Sequence, residues 1–276
     1  MNHKIKMVGL DLDGTLLTTE KKMTSYTREV LEKALAQGVE VLVSTGRPIS
    51  GVPREVLEIP GMKYAVTSNG ARVLELSTGN VLCESMLSME TAERLIDIIN
   101  DYDAVLEIFI DGKSYARRAE LQHAYDYFPH PSMAEYILST RVQVEDIKET
   151  LYEKQSSVDK VHGIFKSAED KRDAYRRLSE IPGVVIASSF GNNWEINKEG
   201  TDKGKGLLRL GEMLGIKQEE IMACGDGMND FEMLKTVGFG VAMENGHPKV
   251  KEIADYITVT NDEDGVAKAI EKFVLQ

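Results

Sequence analysis

Short apolar runs alternate with amphipathic stretches along the first 70 residues of the chain. The run at residues 5–10 predicts a short buried strand, and the Asp-Gly pair after it predicts a turn. An apolar stripe at helical spacing between Thr24 and Gly38 predicts a capped amphipathic helix. Residues 39–44 and 64–67 predict two further strands. Strands and helices that alternate with short joints predict a parallel sheet with right-handed crossovers.

The pattern changes near residue 85. A hairpin is predicted at residues 72–84, a helix at residues 120–127 and a loop at residues 129–131. Elsewhere in this stretch, helices alternate with strands that mix polar and apolar positions. Such strands are typical of an antiparallel sheet with one face open to solvent. We therefore predict that residues 85–188 form an inserted α+β cap domain.

The parallel pattern resumes after the insertion. It begins with a short strand at residues 194–196, and residues 200–204 then open a helix that runs to Leu214. A buried strand at residues 221–224 precedes further strand and helix pairs up to the end. The predicted fold class is therefore α/β, a Rossmann-like parallel sheet core built from residues 1–84 and 189–276.

Composition and charge exclude several kinds of partner. The 276 residues carry a net charge of −12 without a long basic run, which argues against nucleic acid or an anionic membrane. No apolar run approaches the ~20 residues of a membrane span, and the amino terminus lacks the apolar stretch of a signal peptide. Cys83 and Cys224 lie in apolar segments, so we expect reduced, buried cysteines in a cytoplasmic protein. The oligomeric state stays open.

Two carboxylates follow the first predicted strand. Asp11 and Asp13 are two residues apart, so a strand presents them on the same side. Carboxylates this close repel each other unless one is protonated or a cation lies between them, and Mg²⁺ is the simplest such cation. An ordinary surface turn at Asp-Gly is the alternative.

Two further predicted strands end in polar residues and glycine. The second ends at Thr45, Gly46 and Arg47, whose hydroxyl, backbone amides and guanidinium suit phosphate oxygens. The third ends at Ser68-Asn69-Gly70, which places Asn69 along the same edge of the sheet. For Thr45, Gly46 and Arg47, an ordinary strand end without a ligand remains the alternative.

The final third of the chain carries two more candidates. Lys203 lies at a helix start, where a cation is unfavourable unless it shares a bound phosphate with the helix amides. The alternative is a solvated surface lysine, and Lys205 is the better candidate for that role. A second acidic cluster, residues 225–230, follows a buried strand. There Asp226 can add a third carboxylate to a metal, and Asn229 or Asp230 can hold phosphate or metal-bound water. An acidic turn at a helix start is the alternative.

The histidines form no catalytic pattern. His123, His130 and His162 fall in the insertion, where a role toward the substrate stays open. A nucleophile elbow, a Walker loop and a dinucleotide-binding glycine motif are all absent from the sequence.

Taken together, these motifs resemble a known superfamily. In chain order they are Asp-x-Asp-Gly-Thr, Thr-Gly-Arg, a lysine and Gly-Asp-Gly-x-Asn-Asp, as in the haloacid dehalogenase superfamily of aspartate-nucleophile phosphatases. The insertion between the Thr45 and Lys203 motifs is similar to that of the Cof-type sugar-phosphatase branch. The resemblance covers nearly the whole chain, and its motifs are specific for the reaction type but not for the substrate.

The resemblance implies a role for each motif residue. Asp11 would be the nucleophile that becomes an aspartyl phosphate, and Asp13 the acid and base. Mg²⁺ would be held by Asp11, by the backbone carbonyl or the carboxylate of Asp13, and by Asp226. Asp230, from the acidic cluster itself, is a further candidate ligand, directly or through water. The groups that would bind the phosphate of a small phosphorylated metabolite are the Leu12 backbone amide, Thr45, Gly46, Lys203 and Asn229. Arg47 joins them on the strength of its guanidinium. The inserted domain would close over the site and select the leaving group.

Two other functions compete with a phosphatase. A non-catalytic phosphate sensor also uses an acidic strand end, Mg²⁺, a threonine and a lysine, but it is about half this length and needs no second carboxylate at Asp13. A phosphosugar mutase is the closest enzymatic alternative. We expect a sugar phosphatase.

Overall fold

The structure is a computed structural model, and it describes residues 4–128 and 131–275. The strands, in chain order, are β1 (Met7–Leu10), β2 (Glu40–Ser44), β3 (Tyr64–Thr67), β4 (Arg72–Glu75), β5 (Val81–Glu84), β6 (Ala104–Ile110), β7 (Lys113–Arg117), β8 (Val142–Val144), β9 (Lys160–Phe165), β10 (Val184–Ala187), β11 (Asn193–Lys198), β12 (Ile221–Gly225), β13 (Phe239–Ala242) and β14 (Tyr256–Ile257). The helices are α1 (Ser25–Ala36), α2 (Arg54–Leu57), α3 (Met89–Asn100), α4 (Arg118–Leu121), α5 (Pro131–Thr140), α6 (Ile147–Lys154), α7 (Ala168–Leu178), α8 (Lys203–Leu214), α9 (Phe231–Thr236), α10 (Pro248–Ile253) and α11 (Gly265–Phe273). Among these described helices, none has the length and apolar character needed to cross a membrane.

Eight strands form the first sheet, in the order β14-β13-β12-β1-β2-β3-β4-β5. The strands from β14 to β3 run parallel, and β4 and β5 add an antiparallel hairpin at one edge. At the centre, Leu10 of β1 lies opposite Val43 of β2 and Cys224 of β12. Two distant segments of the chain therefore build one sheet, which confirms the predicted α/β fold class.

The position of β1 explains where a ligand site can form. Every residue of β1 is buried, as expected of a central strand covered on both faces. The strand order reverses between β1 and β12, because the chain continues from β1 to β2 on one side and reaches β12 much later on the other. In open α/β sheets, ligands bind beyond the carboxyl ends of the strands at such a reversal.

Contacts divide the described chain into two units. The first unit holds the eight-stranded sheet and comprises the residues up to Gly46, Val52–Glu84 and those from Asp202 onward. The second comprises Arg47–Gly51 and Ser85–Thr201. Its six-stranded sheet has the order β10-β11-β9-β6-β7-β8 and is antiparallel except between β7 and β8.

One prediction about the second sheet is wrong, because neither face of its central strands is open to solvent. Every residue of β6 and β9 is buried. The polar positions that suggested a solvated face are paired with one another instead. Arg141 and His162 contact Glu107 at 2.7 and 2.8 Å, and Lys160 contacts Glu195 at 2.8 Å.

The strand predicted at residues 194–196 belongs to the second sheet rather than to the resumed parallel core. It is part of β11, which pairs antiparallel with both β9 and β10. Ile196 packs into the apolar cluster between this sheet and its helices, while Glu195 points to the buried ion pairs. Alternation of this kind is typical of an antiparallel strand, and three residues were too few to distinguish it from a parallel one.

Smaller differences concern the stretch between β7 and β8. The helix predicted at residues 120–127 is a short helix, α4, followed by a 3-10 turn, and α5 was not predicted. Pro129 and His130 of the predicted loop lie outside the described residues. His123 is exposed, whereas His162 is buried against Glu107.

The two cysteines are free thiols, but only one matches the prediction. Cys224 in β12 is fully buried, whereas Cys83 in the edge strand β5 is partly exposed. An edge strand has a neighbour on one side only, which explains why an apolar segment there does not bury its cysteine.

Candidate active site

The candidate site is centred on Asp11, the residue that follows β1. Its amide donates a hydrogen bond to the Cys224 carbonyl at 3.1 Å, and its carbonyl accepts one from the Leu16 amide at 3.1 Å. The side chain is buried, and its Oδ1 lies 2.6 Å from Nζ of Lys203. Asp11 and Lys203 are 192 positions apart, so the sheet topology brings them together.

Lys203 is the first residue of α8, and close packing fixes the start of this helix. Asp202 caps it by accepting a hydrogen bond from the Lys205 amide at 2.8 Å. A Cβ at Gly70 would lie 2.1 Å from the Asp202 carbonyl oxygen, so only glycine allows the turn after β3 to approach this cap. Lys203 is fully buried, whereas Lys205 is exposed and forms an ion pair with Asp202 at 3.4 Å.

The second acidic cluster follows β12, the other neighbour of β1. Oδ1 of Asp230 lies 2.6 Å from Nζ of Lys203, and Oδ2 accepts hydrogen bonds from the Asp226 and Gly227 amides at 3.0 and 2.9 Å. Asp226 accepts a hydrogen bond from the Thr15 hydroxyl at 2.7 Å. Asp230 therefore holds both the lysine and the backbone that carries Asp226.

Burial and crowding set the electrostatics of this cluster. Burial raises the pKa of Asp11 well above its ordinary value, the charge of Asp230 adds to the rise, and Lys203 opposes it. Burial and then Asp230 raise the pKa of Asp226 to about 7. Burial alone would lower the pKa of Lys203, but Asp11 and Asp230 outweigh burial and raise it. The cluster therefore has more carboxylates than one lysine neutralises.

This donor set fits a hard cation. Single oxygen atoms from Asp11, Asp226 and Asp230 all lie within 4.8 Å of one another. Carboxylate oxygens are the ligands that Mg²⁺ takes in proteins, and a divalent cation would relieve the repulsion that, after burial, raises the pKa values of Asp11 and Asp226. Gly14 (φ +83°) keeps this place open, because a Cβ there would lie 2.5 Å from Oδ2 of Asp226.

Asp13 lies on the turn that follows Asp11. Its Oδ1 is 2.7 Å from Nζ of Lys21, and both side chains are partly exposed. Its backbone forms an isolated bridge with Leu17, so the chain folds back directly after the Asp motif. Asp13 is therefore the most solvent-accessible carboxylate of the motif, next to a buried Asp11.

The other residues predicted to bind phosphate are distributed around this sheet edge, with one exception. Leu12 follows Asp11 directly, Thr45 and Gly46 follow β2, and Asn229 is part of the turn after β12. The Thr45 amide donates to the Val66 carbonyl at 2.9 Å, which ties the β2 loop to β3. The exception is Arg47, which belongs to the second unit. Within that unit, its guanidinium donates a hydrogen bond to the Gly51 carbonyl at 2.8 Å and lies 3.9 Å from the centre of the Tyr136 ring.

Three residues of this region were not predicted as site residues. Thr15 hydrogen-bonds to Asp226, Lys21 pairs with Asp13, and the Asn245 side chain donates to the Gly14 carbonyl at 2.8 Å. Thr15 stands within the Asp-x-Asp-Gly-Thr motif and could have been found there. Lys21 and Asn245 carry no sequence signal, because their contacts depend on how the loops fold.

Comparison with known proteins adds independent information. The family model of haloacid dehalogenase-like hydrolases matches residues 8–270. The 5-amino-6-(5-phospho-D-ribitylamino)uracil phosphatase YitU of Bacillus subtilis is 33% identical over 283 residues, which cover 99% of each chain.

Two solved structures have the same fold over nearly their full lengths. A haloacid dehalogenase-like hydrolase from B. subtilis superposes with a TM-score of 0.87 at 28% identity and covers 98% of this chain and 100% of its own. The HAD subclass IIB sugar phosphatase BT4131 superposes with a TM-score of 0.81 at 26% identity, covering 97% and 98%.

Proposed function

Because the chain belongs to the haloacid dehalogenase-like hydrolases, a family with phosphatases among its members, we propose a specific reaction for this phosphoric monoester hydrolase. It is a Mg²⁺-dependent phosphatase that hydrolyses a small phosphorylated metabolite, a phosphate ester of a sugar or sugar alcohol, through an aspartyl phosphate on Asp11. The observation that carries this proposal is the buried Asp11 carboxylate at the end of β1, 2.6 Å from Lys203 and grouped with Asp226 and Asp230.

Asp11, Asp226 and Asp230 are the residues that would hold Mg²⁺, and Asp13 completes the set proposed from the motif. One Asp230 oxygen already contacts Lys203 and the other accepts from backbone amides. Asp230 is therefore better placed to contact Mg²⁺ through a water molecule than directly. When bound, the cation would neutralise charge on the phosphoryl oxygens and favour the ionised carboxylates around it.

Asp11 begins the reaction. Its carboxylate oxygen attacks phosphorus, the bond from phosphorus to the leaving oxygen breaks, and Asp13 gives its proton to that oxygen. Lys203 stabilises the charge on the phosphoryl group from the side of Asp11. The products of this half-reaction are an alcohol and Asp11 as a mixed phosphoric–carboxylic anhydride.

Asp13 begins the second half-reaction as a carboxylate. It takes a proton from a water molecule whose oxygen bonds to phosphorus, and the phosphorus–oxygen bond to Asp11 breaks. Inorganic phosphate leaves, and Asp11 is again a free carboxylate. Leu12, Thr45, Gly46, Arg47 and Asn229 are proposed to orient the phosphoryl oxygens.

The proposed substrate class rests on the leaving group. The relatives described above are named for a ribityl phosphate and for sugar phosphates, and both are esters of alcohols. An alkoxide is a poor leaving group, so such a substrate needs the acid that Asp13 supplies. Phosphate release from a panel of phosphorylated sugars, sugar alcohols and nucleotides, with Mg²⁺ and with Asp11→Asn as control, tests this proposal.

An experiment on Asp13 separates the phosphatase from a phosphate sensor. With p-nitrophenyl phosphate, whose leaving group needs no proton, Asp13→Asn should release about one equivalent of nitrophenol per site and then turn over slowly. A sensor would instead accumulate a long-lived phosphoaspartate in the unmodified protein, and rapid-quench measurement on both proteins would reveal it. A stable phosphoprotein in the unmodified chain contradicts the phosphatase. A mutase would convert one sugar phosphate into an isomer with little release of phosphate.

A further inference from the structure

Lys21 is a charged residue beside the reaction centre that the proposed mechanism leaves without a role. Its Nζ lies 2.7 Å from Oδ1 of Asp13, and the two side chains are 24% and 29% exposed. Partly exposed ion pairs of this kind contribute little to folding stability, because water screens them and two side chains must be ordered. Stability is therefore a weak explanation for the contact.

The backbone conformation of Lys21 is unfavourable for a lysine. Its φ is +60°, in the left-handed region that glycine adopts readily and other residues adopt rarely. The turn is well fixed, since the Lys21 amide donates to the Thr18 carbonyl at 2.8 Å and the Thr18 amide donates to the Lys22 carbonyl at 2.9 Å. The Thr19 amide and hydroxyl also bind the Asp262 carboxylate at 2.8 and 2.7 Å. Lysine thus stands where glycine would fit better, on a turn held firmly in place.

We propose that Lys21 is a positioning residue for Asp13, an inference that rests on the proposed aspartyl-phosphate mechanism. The ammonium group binds one oxygen of the Asp13 carboxylate and restricts its rotation, so the carboxylate is held in one orientation while it exchanges protons. Strained residues persist at functional sites when the side chain they present is needed there.

The role is expected mainly in the second half-reaction. An ammonium group binds the carboxylate form of Asp13, and that form accepts the proton of water while the bond from phosphorus to Asp11 breaks. Transfer of the phosphoryl group from p-nitrophenyl phosphate to Asp11 needs no acid, so this step should not depend on Lys21.

The test is rapid-quench kinetics with p-nitrophenyl phosphate on Lys21→Met, which keeps the side-chain length and removes the charge. Phosphoenzyme hydrolysis should slow roughly 10-fold, a part of the ~10²–10⁴-fold that a positioned base contributes, with kcat/KM unchanged. Lys21→Arg should restore most of the rate. Lys22→Met is the matched control, because Lys22 is the next residue, is exposed and binds the turn through its backbone.

Two further variants separate positioning from a structural role. Lys21→Gly places at this position a residue that adopts the left-handed conformation readily, so the Tm should not fall. Phosphoenzyme hydrolysis should still slow as it does in Lys21→Met. In the Asp13→Asn background, Lys21→Met should cause no additional slowing. A lower Tm for Lys21→Gly together with a parallel loss of kcat/KM would show a structural role and overturn the proposal.

The remaining outcomes identify which claim fails. If Lys21→Met hydrolyses its phosphoenzyme as fast as Lys22→Met does, the positioning role is wrong and the phosphatase mechanism stands. If Asp11 of the unmodified protein is never phosphorylated during turnover, the proposed mechanism is wrong and the role of Lys21 falls with it.

Discussion

Without a cation, the protein should lose stability as the pH rises through the neutral range, and ionisation of the buried Asp226 should be one cause. Burial and the charge of Asp230 raise the pKa of Asp226 from 3.8 to about 7. In the unfolded chain the same carboxyl has its ordinary pKa. Between these two values the folded protein holds a proton that the unfolded chain has lost, so each increase in pH favours the unfolded chain.

The size of the effect follows from the shift. A rise of about 3 pKa units corresponds to a loss of about 4 kcal/mol in the free energy of unfolding. This loss is absent below the pKa of the unfolded state and complete above the pKa of the folded state. From about pH 5.5 to pH 8 the loss should be about 2 kcal/mol, or about 3–6 °C in Tm. Mg²⁺ binds the ionised carboxylates, so it should restore most of this loss at pH 8 and little at pH 5.5.

Thermal unfolding at these two pH values, in chelator and in Mg²⁺, measures the effect directly. Asp226→Asn is the control, because its amide has nearly the same volume and does not titrate. The reasoning is refuted if Asp226→Asn keeps the full pH difference in chelator, or if Mg²⁺ raises the Tm of the unmodified protein equally at both pH values.

Three further predictions concern activity. Asp11→Asn removes the proposed nucleophile with little change in volume, so turnover should fall by several orders of magnitude while circular dichroism shows an intact fold. Substantial residual activity would contradict the aspartyl-phosphate intermediate. Chelation should abolish phosphate release, Mg²⁺ should restore it and Ca²⁺ should restore it poorly, since Ca²⁺ takes more ligands at longer distances; full activity in excess chelator would exclude the metal. Lys203→Ala should lower kcat/KM far more than Lys205→Ala, because only Lys203 contacts Asp11, and equal effects would show that the wrong lysine was chosen.

The sheet core was predictable from sequence for a physical reason. The carboxyl ends of parallel strands meet at one edge, so polar residues after successive apolar runs must converge there. Asp11, Thr45 and Asp226 follow β1, β2 and β12, three adjacent strands of the sheet. The prediction needed only the order of the runs and the residues at their ends.

The contacts within that edge were harder to predict, because they depend on loop conformation. Asp230 was expected to bind metal or phosphate, yet its two oxygens also hold Lys203 and the amides of the turn after β12. Lys21 contacts Asp13 from a turn in which its own backbone adopts a left-handed conformation that lysine rarely takes. Neither feature follows from residue type or spacing.

The second unit shows where a pattern argument fails for an energetic reason. Polar residues at alternating strand positions ordinarily face water, because burying an unpaired charge is very costly. In the second sheet, Glu107 gains both Arg141 and His162 as partners, and burial is then compensated by charge and hydrogen bonds that lower its pKa to about 2. Such ion pairs seldom stabilise a fold more than apolar residues of the same volume would. Arg141 lies 34 positions and His162 55 positions from Glu107 along the chain, so no local pattern could have revealed that the three side chains meet.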